Sequence, residues 1–261
     1  MSFDNEYVTV FHHIPKTAGT TLLDIVPRLY GTGNCYVIDG IETDCDVAKF
    51  REMSVLEKAR YPVVIGHQAI MLYQDIPVKK RVVTFFRDPY KQFVSNYYYL
   101  REAKNNRKHH HRVKNLNLVE FLDYCIDNEL NNPQAKVLFT AHYEDVTDIG
   151  EIRKGALQGL EKIDYPCITE CFDLSLMLLR RELSWGCWSY YVRKNQSNKA
   201  GYFFSQELFE KHKSHNEVDY LIYDKAVERF WALVTEEDRA SLKTFNRRNV
   251  AYKYMKKLRI A

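Results

Sequence analysis

The chain has 261 residues, of which 46% are hydrophobic and 28% charged, and carries a net charge of +4 at pH 7. This length can bury a full-sized core, and it predicts one large α/β domain spanning residues 1–261 in a soluble globular protein. The mild positive charge suits an anionic ligand and excludes the strongly basic balance of a dedicated nucleic-acid binder.

The amino-terminal run MSFDNEYVTV lacks the charged region and long apolar stretch of a signal peptide, and no apolar run approaches membrane-spanning length. The expectation is no stable membrane insertion. Cysteines 35, 45, 125, 167, 171 and 187 form no CxxC pair. They read as reduced thiols of a cytoplasmic protein, without a disulfide frame or a zinc site.

In chain order, β-branched and aromatic runs predict strands at Tyr7–Ile14, Tyr61–Ile65, Arg81–Phe86 and Tyr165–Thr169. Helical patterns fall at Thr20–Tyr30, which Pro27 should kink or end, and at Pro89–Leu100, Leu118–Asp127, Gly150–Ile163 and Leu174–Leu183. Three more, Ser205–Ser214, Asn216–Val234 and Glu236–Met255, make a helical C-terminal third. Strands alternating with helices predict a P-loop-like, mostly parallel sheet flanked by helices. The biased stretch Arg101–Lys114, REAKNNRKHHHRVK, reads either as a solvated linker or as a basic lid.

The most informative segment is Tyr7–Leu23, YVTVFHHIPKTAGTTLL. It reads as a buried strand, a tight loop carrying Lys16, and a helix opening with Thr20 and Thr21. Backbone N–H groups, the positive end of a helix dipole, hydroxyls and an ammonium then converge on one spot, which binds a phosphate or sulfate. In a Walker loop, GxxxxGK[ST], the lysine follows the second glycine. Here the order is Pro15, Lys16, Thr17, Ala18, Gly19, Thr20, Thr21, with the lysine first and a single glycine that lets the backbone approach an anion closely.

A second segment, Arg81–Leu100, RVVTFFRDPYKQFVSNYYYL, ends a strand at Arg87 and starts a helix with Asp88 as N-cap and Pro89 at the first helical position. Ser95 lies about two turns on, on roughly the side of Arg87, so a guanidinium and a hydroxyl make a second oxyanion site.

FHHIPKTAGTTL followed by FFRDPYKQFVSNYYYL resembles the two signature segments of carbohydrate sulfotransferases that use 3′-phosphoadenosine 5′-phosphosulfate (PAPS). The resemblance is to the branch containing heparan sulfate 2-O- and 6-O-sulfotransferases and galactose 3-O-sulfotransferases. The runs NNPQAKVLF, ITECFDLSLMLLRRELSW and NEVDYLIYDKAVERF agree with it less specifically. The resemblance implies that Lys16, Thr17, Ala18, Gly19, Thr20 and Thr21 hold the 5′-phosphosulfate, and that Arg87 and Ser95 hold the 3′-phosphate. It further implies a hydroxylated acceptor, a glycan or a glycosylated small molecule.

Sulfuryl transfer needs an in-line acceptor hydroxyl, a base for its proton and positive charge at the departing phosphate oxygen. It demands no metal clamp. Lys16 is the candidate for the leaving oxygen. His67, at the end of YPVVIGH, should stand at the carboxyl edge of a strand, where open α/β sheets place ligand chemistry, and imidazole titrates near neutrality. A GH in this place also resembles the catalytic-histidine position of the heparan sulfate 2-O-sulfotransferases. His13, read as bracing the loop, competes with it, as do His12, His142 and an acidic base.

Several later features stay open at this level. Phe172–Trp185 reads as a buried helix carrying Arg180 and Arg181. The stretch Tyr190–Phe204, with Arg193, Lys194, Ser197 and Lys199, is either a structural loop or a lid over the donor. Asn131, Asn132 and Gln134 either line the acceptor groove or cap a helix. Two rival functions also remain. One is a P-loop kinase for a small hydroxylated substrate, and the other a non-catalytic module that grips anionic glycans.

Overall fold

The computed structural model describes residues 6–38, 42–102, 109–139, 146–192 and 205–258. In chain order these form β1 (Tyr7–His12), α1 (Gly19–Tyr30), β2 (Cys35–Ile38), α2 (Thr43–Glu52), α3 (Val55–Lys58), β3 (Val63–Gly66) and β4 (Lys79–Phe86). There follow α4 (Pro89–Arg101), α5 (His110–Val113), α6 (Leu118–Asp127), α7 (Pro133–Phe139), α8 (Ile149–Glu161), β5 (Tyr165–Ile168) and α9 (Phe172–Glu182). The last helices are α10 (Gln206–His215), α11 (Glu217–Leu233) and α12 (Glu236–Leu258). The chain folds as two compact units. One comprises Met1–Phe86, Glu161–Lys194 and Ala226–Ala261, the other Arg87–Leu160 and Asn195–Lys225.

All five strands lie in the first unit, in one sheet of order β2-β3-β1-β4-β5 in which every neighbouring pair is parallel. This is the expected α/β architecture with a helical C-terminal third. The four residues of β3 are all buried, as are five of the six in β1, which is why β3 reads as an unbroken apolar run and β1 as one broken only by Thr9 and His12.

From β1 the chain passes through α1 to the edge strand β2, returns to β3, and then crosses to β4 and β5 on the other side. Connections leaving β1 and β4 therefore diverge. The carboxyl edge between these neighbours is a switch point, the place where open parallel sheets bind ligands. His12 pairs with Gly66 on one side and Thr84 on the other, so the ends of β1, β3 and β4 share this edge.

The expected helix boundaries hold to within a few residues, with one correction. Helix α1 neither ends at Pro27 nor stops short of Tyr30, because the Gly31 N–H donates to the Pro27 carbonyl (2.9 Å) and closes a further turn. Five elements had no counterpart in the sequence reading, α7 among them. Strand β2 has only four residues and turns Val37 to solvent, and α2 buries only Val47 and Phe50. The other two are the single-turn α3 and the α5 turn.

In the first unit, α9 is the buried helix expected, with every residue from Leu174 to Leu179 inside. Its two arginines are both engaged. The Arg180 guanidinium lies 4.3 Å over the Trp188 ring. Arg181 reaches α12, donating to both carboxylate oxygens of Asp238 at 3.1 and 3.0 Å and to the Leu233 carbonyl at 2.9 Å. Asp238 is 1% exposed and also accepts from the backbone and hydroxyl of Thr235.

In the second unit, α4 supplies Tyr90, Phe93, Val94 and Tyr97 to a core completed by Val113, Phe121, Leu122, Cys125 and Leu208. The Phe93 and Phe121 rings stack at 5.2 Å. The basic stretch is tied down at its carboxyl side, where His110 Nδ1 lies 2.6 Å from the Leu100 carbonyl and Val113 is in the core. Its residues 103–108 lie outside the described residues.

Removing the half-buried Arg181 guanidinium strands the charge of the buried Asp238 carboxylate. Arg181→Met is expected to cost about 3 kcal/mol in urea unfolding. A wild-type midpoint in that variant would show that water replaces the guanidinium at Asp238.

Candidate active site

The loop between β1 and α1 has a backbone that few sequences adopt. Lys16 (φ 65°) and Ala18 (φ 72°) are both left-handed, a conformation that costs a non-glycine residue about 1–3 kcal/mol. Successive turns of this kind point N–H groups inward as an anion nest. Ala18 is the N-cap of α1 and has no side-chain oxygen to offer, so the amino end of a twelve-residue helix is left without a side-chain cap. Its first turn also contains no acidic residue. Neither the cap residue nor the first turn of α1 therefore supplies an anion of its own to these donors and this dipole.

Each threonine has a different place. The Thr17 hydroxyl donates to the Ile14 carbonyl at 2.7 Å and braces the loop from within, while Thr169 Oγ1 donates to the Thr17 carbonyl at 3.3 Å. Thr20 is exposed and Thr21 buried, so the outward hydroxyl at the helix start is that of Thr20.

Gly19 is required for a reason other than anion approach. A Cβ built there would lie 1.8 Å from Nε2 of His13, so the imidazole occupies the space that any side chain at 19 would need. The His13 N–H extends the sheet by donating to the Gly66 carbonyl at 2.9 Å, and its ring packs against that of His67 with centroids 4.2 Å apart. His13 is therefore the bracing residue that the sequence suggested, and it also joins the 13–19 loop to the end of β3.

Burial, with the nearby His67, His12 and Lys16, holds the His13 imidazole well below its ordinary pKa. It is neutral at pH 7. Gly66, just before His67, has φ 144°, and a Cβ there would meet the Ile38 carbonyl at 2.2 Å, so only glycine lets β3 deliver His67 at this point. His13, Lys16, Gly19 and His67 are thus gathered at one edge of the sheet.

In the second unit, Asp88 is the N-cap of α4, its Oδ1 accepting the Lys91 N–H at 2.8 Å with Pro89 following. That is the capping role read from the sequence. Ser95 is half-buried on α4, off the apolar face formed by Tyr90, Phe93 and Tyr97.

The backbone of Arg87 is bracketed by one side chain. The Arg87 N–H donates to Gln134 Oε1 at 3.1 Å, and Gln134 Nε2 donates to the Arg87 carbonyl at 2.8 Å. Of the two roles open for Asn132 and Gln134, the structure supports scaffolding. Asn132 Oδ1 accepts the N–H groups of Val218 and Asp219 at 3.0 and 3.1 Å and so caps α11.

Sequence reasoning missed Gln134 as a partner of Arg87, and Asp219 altogether. Spacing carries no signal for partners 47 and 84 residues apart. His142, Arg193, Lys194, Ser197 and Lys199 lie outside the described residues.

The fold is that of an α/β protein with an all-parallel sheet, and a left-handed loop, a lysine and two packed imidazoles stand at the carboxyl edge of that sheet. Family comparison then identifies it. The family model for galactose-3-O-sulfotransferase matches residues 4–259, and the chain belongs to that family of carbohydrate sulfotransferases. Compared with curated proteins one at a time, the chain gave no match.

The strained loop makes a paired prediction. Ala18→Gly relieves a left-handed alanine and is expected to raise stability by about 1 kcal/mol. Gly19→Ala must expel the His13 ring and is expected to lower it by about 2 kcal/mol or more. Thermal melts of the two variants check this, and equal melting points would show that neither constraint operates.

Proposed function

We propose that the protein moves a sulfuryl group from PAPS to a hydroxyl of a carbohydrate acceptor. Membership in the galactose-3-O-sulfotransferase family supports the reaction class. The observation that carries the residue assignment is the gathering of Lys16, the uncapped start of α1 and the His13–His67 pair at one edge of the sheet.

The loop suits the 5′ end of such a donor. It offers N–H groups in a nest, a helix dipole, the Thr20 hydroxyl and a cation, and its own first turn brings no carboxylate. Thr17 and Ala18 would contribute backbone rather than side chain. Arg87 and Ser95 are the residues this reading assigns to the 3′-phosphate, which is what distinguishes the donor from ATP.

Chemically, the acceptor oxygen bonds to sulfur as the bond between sulfur and the bridging phosphate oxygen breaks. His67 would take the acceptor proton on a ring nitrogen, while the Lys16 ammonium would hold the charge that gathers on the bridging oxygen. His13, neutral and packed on His67, would fix the plane of that ring. The six cysteines are all free thiols, and the reading keeps the cytoplasm as the compartment.

Thermal-shift titration with PAP against ADP tests the donor class. PAP should stabilise the protein at concentrations where ADP does not, and the reverse order would favour a kinase. In a radiolabelled-sulfate assay, Lys16→Ala should abolish transfer. His67→Ala should lower the rate by about 10²-fold or more while leaving PAP binding nearly intact. An unchanged rate would remove His67 from the role of base.

A further inference from the structure

Arg87 follows the last ladder residue of β4, so its N–H and carbonyl have no strand to pair with. Backbone groups in that position need partners. Gln134 supplies both at once, its carboxamide standing in for a neighbouring strand: the oxygen accepts, the nitrogen donates, and the side chain is fully buried. A neutral carboxamide offers an acceptor and a donor in a single plane at any pH.

The carboxamide is itself held by a reciprocal pair of caps. Asp219, 1% exposed, accepts the Gln134 N–H at 3.2 Å and the Ala135 N–H at 2.7 Å, and so caps α7. Asn132 caps α11 in return, through the bonds to Val218 and Asp219 described above. The Asn132 N–H donates to Asn216 Oδ1 at 2.8 Å, and its Nδ2 donates to the His215 carbonyl at 3.2 Å. Asn132 adopts φ 55°, a left-handed conformation that asparagine tolerates better than most residues.

The helix starts at 133 and 217 thus lock one another, and the product of that lock is a fixed Gln134. Burial pushes the Asp219 carboxyl up to about 7 despite the two N–H bonds that favour its charged form, so the lock is a dry one.

We infer that Gln134 is a positioning residue for the donor's 3′-phosphate: held by the Asn132–Asp219 caps, it sets the backbone of Arg87 and thereby the direction in which the guanidinium leaves it. The inference rests on the reading that Arg87 binds that phosphate. It predicts a loss confined to ligands that carry a 3′-phosphate. A merely structural glutamine would weaken all nucleotides alike.

The test is calorimetric titration of the full chain with PAP and with 5′-AMP, which lacks the 3′-phosphate. Wild type should bind PAP more tightly. Gln134→Met, similar in length but without either bond, should weaken PAP by about 10-fold and leave 5′-AMP within about twofold. Gln134→Leu, uncharged and also without either bond, should lose the same selectivity and serves if the methionine variant does not fold.

Arg87→Ala should lose the same selectivity, and adding Gln134→Met to it should cost PAP binding nothing further, because the two act as one unit. Equal losses for PAP and 5′-AMP, unchanged PAP binding, or additive losses in the double variant would each overturn the inference. A wild type that binds the two nucleotides equally would overturn it by a different route, since the assignment of Arg87 to the 3′-phosphate would then fail.

Discussion

The imidazole of His13 lies where a side chain at position 19 would have to be, and much of the first unit's working edge follows from that contact. Because residue 19 is glycine, the ring can press on the start of α1. Because the His13 N–H is tied to Gly66, the same residue also holds the end of β3. The chain between these anchors must turn within a few residues, and it does so by placing Lys16 and Ala18 in left-handed conformations. Strain of that kind persists only where the surroundings over-determine it. Here they do so through a buried β1, the internal bond from Thr17 to Ile14, and a glycine on each side of the histidine pair.

The same contact links stability to chemistry. A neutral His13 packed against His67 adds no positive charge to an edge that already holds Lys16, the cation to which the proposed function gives the donor. The uncapped start of α1 follows the same logic. A serine or aspartate at position 18 would satisfy the helix and compete with the ligand for the donors. Under the proposed function, local stability is given up where the donor's anion would supply it.

The second unit solves a different problem by similar means. A strand that stops leaves backbone groups without partners, and the residue that follows β4 is one to which the proposed mechanism gives a task. A buried carboxamide fills the gap, and its position depends on two helix starts that cap each other across some 84 residues of chain. Buried polar groups so completely bonded specify a single arrangement more than they add net stability. That explains why Asn132, Gln134 and Asp219 can be buried in a chain with ample apolar alternatives.

Much of this was legible from residue order alone. Parallel strands buried on both faces announce themselves as unbroken β-branched runs. Asp88-Pro89 marks a helix start, and Pro15–Thr21 marks the tight turn between β1 and α1. All of these are local signals, set by backbone preference over a few residues. Among the elements that escaped, β2 at the sheet edge and α2 with two buried residues have weak local signals. Pro27 does not end α1, because proline's cost to a helix is local, whereas burial of Val26 and Leu29 is not. What the sequence could not state is which distant groups meet. That His13 rests on Gly19 and His67, and that Gln134 closes on Arg87 under the hold of Asp219, depends on long-range packing, which decides contacts that no spacing along the chain encodes.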